Sequence, residues 1–178
     1  MLDLRYFTET EQKKLLKTIT VLVDTREHEG KNTHILEYFD KNKIPWKKFK
    51  LDHGDYSFML PASEEFGIST DLYFDKWIMV ERKANLEELS ANQTGERNRI
   101  KTEFAGSPPH KVLLIENASY KQLVEGDYNT NYSPKAFYAS LMSMWHQYGI
   151  PVFFMEDAKY SGQFIYGYFY YYLRNIIK

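Results

Sequence analysis

The stretch "DKWIMVERKANLEELS", residues 75–90, changes character twice. Trp77 to Val80 are bulky and apolar, Glu81, Arg82 and Lys83 are charged, and Leu86 and Leu89 then return at helical spacing. A short apolar run bounded by charge reads as a buried strand, and the segment behind it reads as a helix with Glu87 in its favoured place in the first turn. On a strand alternate side chains share a face, so Trp77, Met79, Glu81 and Lys83 point one way while Ile78, Val80 and Arg82 point the other. Glu81 and Lys83 therefore meet at the end of a core strand, where burying charge is costly unless a partner, ligand or metal compensates. The plain alternative is a salt bridge at a strand end. Acid-x-lysine spacing recurs at Glu11/Lys13, Glu29/Lys31 and Asp157/Lys159, so spacing alone does not decide between the two.

Outward from this segment the same alternation of strand and helix continues. A short polar helix over 8–17 leads into "TITVLVD", a β-branched strand that ends in charge at Asp24. "NTHILEYFDKNK" has a helical apolar face, and Ile44-Pro45 stops it before the half-buried strand "WKKFKL". "GDYSFMLP" and the strand ending in Glu81 read as neighbours in a meander, with "ASEEFGIS" as the loop between them. Further on come the helical segments "NLEELSANQ" and "GERNRIKTEFAG", the apolar strand "KVLLIE", a helix opened by Ser133 and Pro134, the strand "IPVFFM", and a tyrosine-rich C-terminal helix. This order predicts an α/β fold with a mixed central β-sheet flanked by α-helices.

Composition limits the chemistry. A chain of 178 residues with 43% hydrophobic content can bury one good core, so a single domain over 1–178 is expected. The net charge of −1 argues against a basic sheath around nucleic acid while permitting a local basic groove. Cysteine is absent, which removes disulfides, thiolate metal sites and thiol nucleophiles. No apolar run approaches the roughly 18 residues of a membrane span, and a soluble cytoplasmic protein is the expectation.

Two further acids stand at strand ends: Asp24 after "TVLV", and Asp55 in "HGDY", where Gly54 permits a tight backbone turn. Each alone is more often a turn or capping aspartate. With Glu81 they form an oxygen-donor set suited to Mg²⁺ or Mn²⁺, and Lys83 is placed to orient or deprotonate a water. The five histidines have no metal-ligand spacing, although His53 lies beside Asp55. Arg97, Arg99 and Lys101 lie on one helical stretch and are candidate contacts to phosphate, the alternative being a solvated helix face, with Lys47, Lys48 and Lys50 weaker candidates.

The ordered set "VLVDTRE", "GDY", "VERK", "LEELS", "GERNRIKTEF" and "LLIE", followed by the segment from Ser133 to Tyr168, resembles the nuclease domain of the XPF family of structure-specific DNA endonucleases. The resemblance spans about residues 19–177, leaving 1–18 as an N-terminal helical extension. It implies a restriction-endonuclease-like core and metal-dependent hydrolysis of DNA phosphodiesters near branches or single-strand/double-strand junctions. It also implies Asp24, Asp55 and Glu81 as catalytic metal ligands, Lys83 as the residue that positions the attacking water, Arg26, Glu27 and Arg82 lining the site, and Arg97 near the DNA backbone. Where the family commonly has an aspartate four residues beyond the lysine, Glu87 stands here. Relatives commonly carry a helicase region or tandem helix-hairpin-helix motifs. Neither is legible here, so a lone nuclease domain of compact bacterial or viral type is expected. The alternative is a non-catalytic member serving as a DNA-binding or dimerisation module. A homodimer is expected through the C-terminal helix, where Phe164, Tyr168, Tyr171 and Tyr172 fall in one aromatic stripe.

Overall fold

The computed structural model describes residues 6–27, 30–95, 104 and 106–177. Helix α1 (Glu9–Leu15) begins with a reciprocal cap, the Thr8 hydroxyl accepting from Glu11 N–H while the Glu11 carboxylate accepts from Thr8 N–H at 2.8 Å. Strand β1 (Thr20–Asp24) then runs into the core and is followed by α2 (Thr33–Lys41), which buries Ile35 and Phe39. Strands β2 (Trp46–Phe49), β3 (Tyr56–Leu60), β4 (Leu72–Tyr73) and β5 (Ile78–Lys83) precede α3 (Leu86–Gly95). Strand β6 (His110–Glu116), α4 (Tyr120–Glu125), α5 (Pro134–Tyr148), β7 (Val152–Met155) and α6 (Ser161–Ile176) complete the order. The expected start of α5 is present, with the Ser133 hydroxyl accepting from Ala136 N–H and Pro134 in the first turn, and Gly149 closes the helix with φ 64°.

The seven strands form one mixed sheet in the order β2-β1-β3-β5-β6-β7, with β4 attached to β3 alone. Strands β3 and β5 are antiparallel neighbours as expected, but the meander does not extend back to β2. Strand β2 returns parallel to β1 through α2 and lies at the edge, so β3 pairs antiparallel with β1 and β5. Strand β4 touches only the far end of β3, through Met59 and Leu60. The right-hand half, β5-β6-β7, is parallel, as strands joined by helical crossovers must be.

The sheet has two unlike faces. On one, Val21, Val23, Tyr56, Phe58, Ile78, Val80 and Leu114 pack against α2 and α6, and Phe7, Leu15 and Leu16 of the N-terminal segment close the same core. Helix α6 contributes Ile165, Phe169 and Leu173, one stripe at four-residue spacing. On the other face, Met79, Leu113 and Ile115 lie beneath Leu86, Leu89, Phe137, Leu141 and Met144 of α3 and α5. Among the described residues that second cover stops short of β1 and β3, where Leu22, Leu51 and Met59 make a small cluster with Phe49 packed against it. The charged ends of β1, β3 and β5 emerge at this thinly covered half.

Candidate active site

The register of the strands aligns the acids. Val23 pairs with Tyr56 and Tyr56 with Val80, so the next positions, Asp24, Asp55 and Glu81, lie in a row across β1, β3 and β5 on one face. The backbone bonds Asp24 N–H to Asp55 O and Asp55 N–H to Val80 O, both 2.9 Å, fix this row. Gly54 makes the approach possible: its φ is +72°, and a Cβ there would stand 2.9 Å from Met79 Sδ and 3.1 Å from Val80 O. The alternation read from the sequence holds on β5, with Met79 on the acid face and Ile78 and Val80 on the other.

The three acids are held differently. Asp24 is fully employed: Oδ1 accepts from Arg26 N–H at 2.6 Å and Nε–H at 2.9 Å, while Oδ2 accepts from Arg26 Nη2–H at 2.9 Å and Leu51 N–H at 3.0 Å. Burial pushes its carboxyl up, but these bonds and the Arg26 charge outweigh burial and hold it below the usual carboxylate value. Asp55 accepts Arg82 N–H at Oδ2, 2.7 Å. Burial first, then the Glu81 and Glu27 charges, raise it well above the ordinary range against the opposing pull of Lys83. Glu81 is buried and its Oε1 accepts from Lys83 Nζ at 2.7 Å, so the strand-end salt bridge does form. Burial lowers the Lys83 pKa, but Glu81 and Asp55 outweigh it and leave Lys83 a firm cation.

Glu27 joins this group from the turn after β1. Its carboxyl is raised, mainly by burial and further by Glu88 and Glu81, despite Arg82 and Lys48. Glu88 sits at the rim, accepting Ala84 N–H at 2.7 Å and lying 3.8 Å from Lys31 Nζ. Glu87 instead accepts Asn129 N–H at 2.9 Å, tying α3 to the segment before α5.

Chemically this is a crowd of hard oxygen donors, with the Lys83 ammonium set against Glu81 and the Arg26 guanidinium against Asp24. Among the described residues no three acidic or imidazole groups converge into a ready-made cage, and Asp24 spends both oxygens on Arg26 and the Leu51 N–H. Mg²⁺ is commonly bound through one or two carboxylates, with waters and substrate phosphate completing the octahedron, and Asp55 facing Glu81 fits that demand. Their mutual repulsion is what a divalent cation relieves.

Of the other residues expected here, Arg26 is placed on Asp24 and Arg82 points to the opposite face. Arg97, Arg99 and Lys101 lie outside the described residues. His53 is near the site, but its imidazole packs on the loop at Gly106, and its Nδ1 is buried with no hydrogen-bond partner among the described residues. The sequence reading passed over Glu116 and His34, which bond to each other at 2.8 Å behind Arg82. The signal for Glu116 was present: like Asp24 and Glu81, it is an acid that ends a buried strand. His34 carried no comparable mark.

The ERCC4 domain model matches residues 23–168, a span that contains the whole acid row. Solved structures share the fold, among them two of one protein. XPF from Aeropyrum pernix superposes with a TM-score of 0.61 at 19% identity, covering 88% of this chain and 66% of that one. The same protein in complex with DNA gives 0.62 at 17% identity, with the same coverages of 88% and 66%. The chain thus spans about 66% of the length of the structures it matches. No curated protein matches it.

Proposed function

We propose that this chain, which belongs to the ERCC4 domain family, is a Mg²⁺- or Mn²⁺-dependent DNA endonuclease acting near branches or single-strand/double-strand junctions. The observation that carries the reading is Asp55 set against Glu81 and Lys83 at the thinly covered end of the sheet, its carboxyl driven up by burial and by Glu81. When bound, the divalent ion supplies charge neutralisation at the scissile phosphate and a water acidic enough to act at neutral pH. Asp55 and Glu81 are the residues that hold it, with Glu27 beside them and Asp24 shaping the loop. Lys83, fixed by its 2.7 Å bond to Glu81, orients the attacking water from a constant position. In the reaction a water gives up a proton as its oxygen bonds to phosphorus, one backbone P–O bond breaks, and the departing oxygen takes up a proton from solvent, so that one water is consumed for each bond cut. Residues 19–177 form the nuclease module in this reading, with α1 and its flanks as an extension that closes the core. The family link and the DNA complex of the Aeropyrum protein support DNA as the substrate. No helix among the described residues is long and apolar enough to cross a membrane.

The test is nicking of labelled flap, fork, splayed-arm, four-way and linear DNAs with Mg²⁺, Mn²⁺ or chelator. The reading expects metal-dependent cleavage of branched DNA, lost by orders of magnitude in Asp55→Ala, Glu81→Ala and Lys83→Ala while DNA binding survives. Wild type inert on every substrate, or Glu81→Ala cutting at the wild-type rate, transfers the protein to the non-catalytic reading.

A further inference from the structure

We infer that Glu116 and His34 are positioning residues for the acid row: from behind the sheet they hold Arg82 off Glu27 and keep its backbone N–H on Asp55. The inference rests on the metal-site reading above and concerns residues that never face the metal.

Arg82 is a two-sided residue. Its backbone N–H bonds Asp55 Oδ2 on one face, and its guanidinium leaves on the other, with its side chain only 4% exposed. There Nε–H donates to Glu116 Oε2 at 2.9 Å, Nη2 pairs with the same oxygen at 2.7 Å, and Nη2–H donates to Lys31 O at 2.8 Å. Nη1 lies 3.6 Å from Glu27 Oε1, close enough to attract but beyond a good hydrogen bond. A buried guanidinium must have a carboxylate, and Glu116 and Glu27 are the two within reach among the described residues.

Register decides which one it takes. Arg82 stands opposite Leu114 on the parallel neighbour β6, and Glu116 is the next residue of β6 on that same face. Glu116 is itself 1% exposed and is secured from its other side, since His34 Nε2, from the first turn of α2, lies 2.8 Å from Oε1. Arg82 is therefore satisfied chiefly by a carboxylate held from both sides, and its contact with Glu27 stays the longer one, which leaves Glu27 close enough to Asp55 and Glu81 to raise the Asp55 carboxyl. Remove the Glu116 charge and the nearest anion to Arg82 is Glu27. The guanidinium then contracts onto it, withdraws Glu27 from the site, and drags the β5 backbone so that the N–H on Asp55 shifts. The bland alternative is that Glu116 merely neutralises a buried arginine, in which case its loss costs stability and nothing else.

The experiment compares Glu116→Gln, His34→Ala and His34→Gln in the full chain. Three quantities are read: Mn²⁺ affinity by calorimetric titration, hydrogen exchange of the Arg82 amide, and urea stability. Outer partners of metal ligands typically govern affinity by about 10- to 100-fold. Glu116→Gln is expected to weaken Mn²⁺ binding by about 10-fold or more and to speed exchange of the Arg82 amide. His34→Ala moves both in the same direction by less, and His34→Gln, whose amide can still donate to Glu116, returns them to wild-type values. His34 is partly exposed, so its variants carry the test should Glu116→Gln fail to fold. Loss of stability alone, with Mn²⁺ affinity and Arg82 amide exchange unchanged, overturns the inference. A wild type that takes up no Mn²⁺ overturns the metal reading instead, and the Arg82 amide then decides the positioning role by itself.

Discussion

Gly54 and Met79 touch so closely that no other residue fits at position 54: a Cβ would lie 2.9 Å from Met79 Sδ and 3.0 Å from Met79 Cβ, on a backbone with φ +72°. The thioether end of Met79 can yield, but its Cβ and the Val80 carbonyl belong to the strand that carries Glu81. An added methyl therefore pushes β3 away from β5 at the point where Asp55 faces Glu81. Gly54→Ala is expected to lower stability by about 1–3 kcal/mol from φ strain and overpacking together. It is expected to lower cleavage far more than DNA affinity. Chemical denaturation and single-turnover nicking check the two halves, and a variant with normal stability and normal nicking refutes the steric account.

Asp55 should be a stability liability that metal removes. Its folded-state pKa is raised, so the folded chain binds a proton here more readily than the unfolded chain. The stability tied to that proton is present below the ordinary carboxylate pKa and is lost as pH rises through the folded value. Asp55→Asn, which can still accept Arg82 N–H, should therefore melt higher than wild type at about pH 7, and the gap should close on acidification to about pH 4. Mn²⁺ should raise the melting temperature of wild type and leave Asp55→Asn nearly unmoved. Equal melting temperatures at both pH values would remove the argument that the acids are crowded.

Asp24 should behave in the opposite way. With its pKa lowered, it contributes stability above its unfolded pKa that is lost as pH falls through the folded one. Asp24→Ala strands the N–H groups of Arg26 and Leu51, each an unsatisfied donor worth about 1–3 kcal/mol where buried. Melting curves across pH should show Asp24→Ala less stable than wild type at neutral pH, while Asp55→Asn is more stable. A shared sign for the two variants would mean that the acids are not held as differently as their hydrogen bonds indicate.

These opposite expectations mark what the sequence could reveal. Strand-end acids are legible because an apolar run ending in Asp24 or Glu81 has one buried side and one open end, and the period of two places Glu81 and Lys83 on a common face. The strand order is not legible in the same way. Nothing local in "WKKFK" says that it pairs with β1 rather than with β3, since the crossover through α2 and the edge position of β2 are decided by packing of the whole sheet. Nor does spacing reveal that Asp24 is claimed by Arg26, two residues away, because that depends on a turn bringing the guanidinium back over the strand. His34 and Glu116 are separated by 82 positions in the chain and meet only because the fold brings the first turn of α2 to the end of β6.

The C-terminal helix carries the last prediction. The aromatic stripe expected to be open is largely spent inside the molecule. Phe164 packs on Phe153 with ring centroids 4.3 Å apart, and Tyr172 meets Phe58, Phe74 and His110. Tyr171 remains 59% exposed, beside a groove of about 480 Å³ lined by Phe164, Gly167, Tyr168 and Tyr172. A second copy laying its own helix along this groove would bury Tyr171 in both partners, and a self-complementary two-fold contact needs only one such patch. Tyr171→Glu should then convert a dimer to a monomer by light scattering at tens of micromolar, with little change in the stability of the monomer because Tyr171 is not in the core. Phe169→Ala is the contrast: its ring is fully buried, and its loss should cost about 3–5 kcal/mol of folding stability whatever the oligomeric state. A wild type that scatters as a monomer at these concentrations excludes the dimer and leaves the groove as an intramolecular seam between α6 and the sheet edge.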